Sequence, residues 1–180
     1  MLVGDPQQLN PVILLGELTN KKLRRRYHVS DEYDYRENSI YKTYLACDAV
    51  SDEVLLRNHY RCNKEIIGFN NKKYYNSKLK IQSKSNEPEP LVYMDVKSDN
   101  TQIKNTSPAE VEEVVEYALL NKDKSIAVIT PFVNQKQLIE NAIKQNKLSN
   151  LVCGTVHAFQ GDEKDVVLFS TAISERTSSG

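Results

Sequence analysis

The sequence predicts an α/β fold, a parallel sheet flanked by helices. Two observations predict it. Short unbroken apolar runs, such as Ile126-Ala127-Val128-Ile129 and Val166-Val167-Leu168-Phe169, alternate along the chain with segments of helical periodicity. The first of these runs shows no in–out alternation, so it reads as a strand covered on both faces, the habit of parallel sheets.

In order, Met1-Leu2-Val3 reads as the end of a strand and runs into the loop Gly4-Asp5-Pro6-Gln7-Gln8-Leu9. Residues 20–38 are polar, with a basic cluster (Lys21, Lys22, Arg24, Arg25, Arg26) followed by Asp31, Glu32 and Asp34, and read as an exposed loop. Ser39 caps a short helix carrying Ile40, Tyr41, Tyr44 and Leu45. Val54-Leu55-Leu56 is a short strand. Asn63 caps a helix with Ile66, Ile67, Asn70 and Tyr74 along one side, residues 82–90 are a loop with two prolines, and Leu91 to Val96 is a strand. The clearest helix covers 108–121: Ser107 is its N-cap, Pro108 its first residue, and Glu110 completes a capping box. Its stripe of Val111, Val114, Val115, Ala118 and Leu119 is a core face. After the strand at 126–129, Asn134 opens a helix with Leu138, Ile139, Ala142 and Ile143 on one face. Leu151-Val152-Cys153 and the run at 166–169 are the last two strands.

With 180 residues, the chain is long enough for one domain with a real core. Its 24 Lys+Arg balance 24 Asp+Glu, which excludes coating of nucleic acid by bulk basicity but not a narrow groove for it. No apolar run reaches the roughly 18 residues of a membrane span, and the first ten residues carry no signal-peptide pattern. Cys47, Cys62 and Cys153 form no C-x-x-C pair, and His28, His59 and His157 lack metal-ligand spacing. Reduced thiols in a cytoplasmic protein, with no metal site, are the expectation.

Parallel sheets collect function in the loops after their strands. Those loops are Gly4 to Leu9, Arg57-Asn58-His59-Tyr60-Arg61, Thr130 to Gln135, and Gly154 to Glu163. Each offers amides, hydroxyls, arginine or carboxylates, groups that suit phosphate, ribose and Mg²⁺-bound water.

These four segments, in this order, resemble the signature motifs of superfamily 1 helicases, and most closely the 5′→3′ branch that includes the nonsense-mediated-decay RNA helicase and related DNA helicases. GDPQQL resembles motif III, NHYR with the helix after it and Tyr74 to Leu79 resembles motif IV and its sequel, ITPF-x-x-Q resembles motif IVa, and GTVHAFQGDEKDVVLFS resembles motif V. The likeness covers most of residues 1–16 and 39–173. It implies two RecA-like motor domains with ATP between them. Residues 1–50 would be the end of the first domain and a connecting segment, and 51–180 the second domain, truncated before motif VI. A phosphate loop (GxxxxGK[ST]), a Walker B pair and motif VI are absent from this sequence, so both ends read as cuts in a longer protein.

The resemblance also implies roles. Gln8 would sense the γ-phosphate and attacking water, with Asp5 shaping the turn; a plain β-turn is the other reading. Arg61 would stabilise charge on the γ-phosphate from the second domain, and Tyr60 would pack near adenine or support Arg61. Gln160 and Gly161 would lie against the nucleotide and Glu163 in its ribose or γ-phosphate network; capping a helical turn is the alternative for Glu163. Thr130 and Thr155 would hold strand phosphates, or else cap the turns after them. His157 would approach the strand backbone or a base. The implied function is an ATP- and Mg²⁺-dependent helicase acting on single-stranded nucleic acid, with DNA favoured over RNA. Most Mg²⁺ ligands would belong to the missing N-terminal RecA-like domain, and the fragment alone would be inactive. The alternative is a non-catalytic nucleic-acid-binding or adaptor module derived from a helicase.

Overall fold

The computed structural model describes residues 3–8, 12–47, 52, 54–84, 88–97 and 103–173. Packing divides the chain into two compact units, Met1–Val92 and Tyr93–Gly180. The expected strand at residues 1–3 lies outside the described residues except for Val3, as does Leu9 of the first motif.

In the first unit, residues expected as a loop form helix α1 (Glu17–Tyr27) and a 3-10 turn at Asp31–Tyr33. Helix α1 has few apolar residues to betray it, and its buried position is Asn20. Its support is electrostatic. Glu17 pairs with Lys21 one turn on, and three arginines occupy the last turn, where cations complement the helix dipole. The Asp34 carboxylate accepts from Asn20 Nδ2 at 2.9 Å and pairs with Arg24 at 2.6 Å. The acidic residues after the basic cluster therefore neutralise part of it.

Helix α2 (Ile40–Cys47) starts as expected, with Ser39 Oγ accepting the Lys42 N–H. The next strand is displaced. Val54, Leu55 and Leu56 are exposed and unpaired into any ladder, whereas β1 (Asn58–His59) runs parallel to β2 (Lys80–Ile81). Helix α3 (Lys64–Tyr74) lies between them, capped by Asn63, whose Oδ1 accepts the Glu65 N–H at 3.0 Å. The pairing partner is set by Asn71 of α3. Its amide accepts the Leu79 N–H at 2.9 Å and donates to the Leu79 carbonyl at 3.2 Å, which delivers Lys80 to β1. Hydrophobicity alone selects Leu55; the available ladder selects Asn58. The expected strand over Leu91 to Val96 has no regular structure, and Leu91, Val92 and Tyr93 are exposed.

The second unit matches the expected pattern closely. Helix α4 (Pro108–Leu120), β3 (Ile126–Ile129), α5 (Val133–Gln145), β4 (Leu151–Gly154) and β5 (Val166–Phe169) build a parallel sheet in the order β4-β3-β5. Ile126 is in register with Leu151 and Val166, and Val128 with Cys153 and Leu168. Pleating puts all six on one face, and that face packs with Val114, Ala118, Ile139 and Leu148 in one core. Burying each such Ile or Val contributes about 1.5–3 kcal/mol. The central strand β3 is buried from Ile126 to Val128, as its unbroken run implied. Strand β5 is equally apolar yet alternates, with Val167 and Phe169 exposed, because it sits at the margin of the described sheet. The starts of β3 and β5 are tied together by Asp165, whose Oδ2 accepts the Ser125 N–H and O–H at 2.8 and 2.7 Å. That bonding holds the Asp165 carboxyl below its ordinary range.

The capping box at α4 is only half formed. Ser107 Oγ accepts the Glu110 N–H, but the Glu110 carboxylate does not return to Ser107. It accepts from Ser170 Oγ at 2.6 Å and from the Ala172 N–H at 3.0 Å. The Ser107 N–H goes instead to Gln135 Oε1 at 2.8 Å, and Gln135 Nε2 donates to the Ser107 carbonyl and Ser170 Oγ at 3.1 and 3.0 Å. Gln135 is fully buried. Replacing it with alanine removes three hydrogen bonds and strands the Ser107 N–H, since the Ser107 carbonyl keeps the Val111 N–H and Ser170 Oγ keeps Glu110, so Gln135→Ala should lower the unfolding free energy by about 1–3 kcal/mol, read from urea denaturation of the chain. Gln135→Glu should fare no better, because a carboxylate cannot donate to the Ser107 carbonyl.

Candidate functional site

In the first unit, the Gly4–Gln8 turn is organised by Asp5. Its Oδ1 accepts the Gln7 N–H at 2.9 Å, and its Oδ2 accepts from Gln8 Nε2 at 3.2 Å. The Gln8 N–H closes the turn on the Asp5 carbonyl at 3.2 Å. Asp5 Oδ2 also accepts from Tyr75 Oη at 2.6 Å, across 70 residues of sequence. Burial and then Asp5 push the Tyr75 phenol up to about 12. The backbone of the turn lies against α2: a Cβ on Gly4 would meet Tyr41 Cδ2 at 2.7 Å. Sequence reasoning identified Asp5 and Gln8 but missed Tyr75 and Tyr41. The one available signal for Tyr75 was its place in the segment after α3.

The second group in this unit stands at the carboxyl end of β1. Tyr60 and Arg61 are exposed on a turn between β1 and the Asn63 cap of α3. The strand side is held by Lys80 N–H to the Arg57 carbonyl and Gln82 N–H to the His59 carbonyl, both at 2.7 Å. His59, to which the sequence assigned no role, closes the turn. Its Nε2 accepts the Cys62 N–H at 3.2 Å and lies 3.1 Å from Cys62 Sγ.

The remaining predicted residues belong to the second unit. Thr130 follows β3 and is fully buried; its Oγ1 accepts the Phe132 N–H at 3.4 Å and its own N–H donates to the Gly154 carbonyl at 3.2 Å. Thr155, His157, Gln160, Gly161 and Glu163 share the loop after β4. Thr155 is half-buried at the start of a 3-10 turn (Val156–Phe159), and the other four are exposed. The loop folds on itself: the Ala158 N–H donates to the Thr155 carbonyl at 2.9 Å and the Asp162 N–H to the Phe159 carbonyl at 3.0 Å. Gly161 lies at φ 89°, where a side chain is strained. The Glu163 N–H donates to Asp162 Oδ1 at 2.9 Å, and Asp162 pairs with Lys164 at 3.0 Å; that lysine first, then the Glu163 N–H, holds the Asp162 carboxyl below its ordinary range. Sequence reasoning passed over Gly154. A Cβ there would sit 2.9 Å from both Ala158 Cβ and Phe159 Cε2, so only glycine lets the loop fold back on the strand end.

Thus the structure groups Asp5 with Gln8, Tyr60 with Arg61, and Thr155 with His157, Gln160, Gly161 and Glu163. The Thr130 hydroxyl is turned inward to its own loop. Exposed arginine, amides and N–H groups at the ends of parallel strands can bind anionic oxygens, and a carboxylate there can orient water or accept from a hydroxyl. Among the described residues, no group of three or more His, Cys, Asp or Glu could hold a metal ion. Nor is any helix among them long and apolar enough to cross a membrane.

A family model described as an AAA domain matches residues 36–179. The chain is also similar to a human "Probable helicase with zinc finger domain", 28% identical over 98% of this chain and 10% of that protein. It is similar to "Helicase sen1" of Schizosaccharomyces pombe, 27% identical over 94% of this chain and 11% of that protein. It is similar to mouse "RNA helicase Mov10l1", 24% identical over 97% of this chain and 17% of that protein. The chain therefore spans less than a fifth of the length of each of these relatives.

Burial and Asp5 favour the protonated Tyr75 phenol, so its stabilising contribution is complete below the ordinary value of 10.0 and is lost as the pH rises toward about 12. Alkaline titration of stability should show that decline, and Tyr75→Phe should flatten it. Gly154→Ala should cost about 1–3 kcal/mol through overpacking against Ala158 and Phe159, measured as a lowered urea midpoint.

Proposed function

We propose that this chain, which belongs to the AAA domain family of superfamily 1 helicases, supplies most of the second RecA-like domain of an ATP-dependent helicase, with residues 1–50 as the end of the first domain. The observation that carries the proposal is Arg61: an exposed arginine at the carboxyl end of a parallel strand, on a turn anchored from both sides. A planar guanidinium there suits phosphate oxygens and the charge that builds on them as the γ-phosphoryl group transfers.

In this reading Arg61 stabilises the γ-phosphate, and the Tyr60 ring packs beside the nucleotide. Asp5 holds the Gln8 amide, which senses the γ-phosphate and its attacking water; the support is the Gln8 Nε2 to Asp5 Oδ2 hydrogen bond. Gln160, Gly161 and Glu163 meet the nucleotide from the loop after β4. Gly161 there removes a side chain where backbone must come close, and Glu163 orients hydroxyl or water. Thr155 and His157 hold strand phosphates from the same loop. Thr130 acts on the strand through the turn it shapes, since its hydroxyl already serves Phe132. ATP and Mg²⁺ are the cofactors of this reading; the ion is assigned to ligands of the other motor domain. It would shield the phosphates.

The strand is single-stranded nucleic acid. The resemblance of the motifs favours DNA, whereas the mouse relative is named as an RNA helicase, which favours RNA. Contacts through hydroxyls and backbone N–H groups to phosphate do not read the base, so both strands belong in the test. A cytoplasmic location is part of the proposal, supported by three free thiols.

The test uses the intact protein that contains this segment. Arg61→Ala should lower nucleic-acid-stimulated ATP turnover by about 10³-fold or more, the scale of an arginine finger, while strand binding by fluorescence anisotropy stays unchanged. Normal turnover in Arg61→Ala removes the assignment. Strand binding by the wild type without any ATP turnover marks the adaptor module instead.

A further inference from the structure

The turn that presents Arg61 is closed by a pair of side chains outside the roles assigned so far. His59 is the last residue of β1 and Cys62 the residue before the Asn63 cap of α3, so the two stand on either side of Tyr60 and Arg61. The imidazole reaches across. Nε2 accepts the Cys62 backbone N–H at 3.2 Å, and a backbone N–H can only donate. That bond requires a lone pair on Nε2 and places the ring proton on Nδ1. The Cys62 Sγ, 3.1 Å from the same nitrogen, then approaches as a thiol that shares this single lone pair with the backbone N–H. Burial, then the charge of Arg61, keeps the imidazole below its ordinary range, and burial keeps the thiol above its own. Both shifts agree with a neutral pair. Tyr60 and Arg61 project from this closed loop at exposed positions.

We infer that His59 and Cys62 are positioning residues: an imidazole clasp that fixes the backbone from which Arg61 reaches the phosphate of the nucleotide. The inference rests on the reading of Arg61 as the phosphate-binding arginine. The ladder to β2 and the Asn63 cap hold the two ends of the turn, and the clasp spans the two residues between them. An arginine finger acts in the transition state. A tip misplaced by an ångström therefore slows chemistry while leaving ground-state nucleotide binding largely intact.

The experiment has two arms. In the chain itself, Cys62 alkylation by iodoacetamide is followed by peptide-resolved mass spectrometry, which separates it from Cys47 and Cys153. His59→Leu should speed Cys62 alkylation several-fold, while His59→Gln, whose Oε1 can accept at the place of Nε2, should keep it near the wild-type rate. In the intact ATPase, His59→Leu should lower kcat about 10- to 100-fold with KM for ATP nearly unchanged, and His59→Gln should restore most of it. Equal melting temperatures for the two variants separate positioning from a folding defect. Wild-type kcat in His59→Leu, with Arg61→Ala inactive, overturns the clasp and leaves the proposed function standing. Unchanged turnover in Arg61→Ala overturns the functional reading and this inference together. Failure of His59→Gln to rescue overturns the hydrogen-bond acceptor as the operative feature.

Discussion

The second unit hangs on one buried amide. Gln135 binds both polar groups of the Ser107 backbone as a strand neighbour would, and spends its remaining donor on Ser170. Through Ser170 the network reaches Glu110, whose carboxylate also takes the Ala172 N–H. Thus the starts of α4 and α5 and the end of β5 meet at a side chain with no solvent exposure. A buried amide with every group satisfied is directional in a way that aliphatic packing is not. It admits one arrangement of these three elements. Ala172, held at φ 46° and fully buried, lies within that arrangement. The Glu110 carboxylate, by accepting the Ala172 N–H, contributes to holding its backbone in a left-handed conformation.

The same device recurs in smaller form. Asn71 clasps the Leu79 backbone from α3 and so brings β2 to β1. Asn150 donates to the Ala118 and Asn121 carbonyls at 3.1 and 3.0 Å, which stops α4 and leads into β4. In each case an amide on one element satisfies backbone groups that helix or ladder leaves open. The consequence reaches the candidate site. The loops after the strands carry the candidate residues, and their shape depends on where these braced strands end.

The fold of the second unit was legible because its signal is periodic. Val114 and Ala118 sit at helical spacing on α4, as Ile139 and Ile143 do on α5, and Ile126 to Val128 form an unbroken run that reads as a strand covered on both faces. The first unit was harder to read for a physical reason. Helix α1 is stabilised by charges and buries an asparagine, so it offers no apolar stripe, and β1 is a two-residue strand chosen by its partner. At the candidate site, Arg61, Gln8 and the loop from Gly154 to Glu163 were legible as polar residues after strands. The groups that hold them were not. Tyr75 on Asp5, and His59 on Cys62, are contacts that propensity does not encode.

The sequence by itself determined the class of fold, the order of strands and helices in the second unit, and the polar residues at the strand ends. Those follow from local periodicity and from which side chains are present. Only the tertiary structure decided which register the strands take, that Glu110 serves Ser170 and Ala172 rather than its own helix cap, that Thr130 turns its hydroxyl inward, and that Gly154 must lack a side chain. A hydrogen bond across 28 or 70 residues is chosen by the packing that brings its ends together, and nothing in the neighbouring sequence can select it.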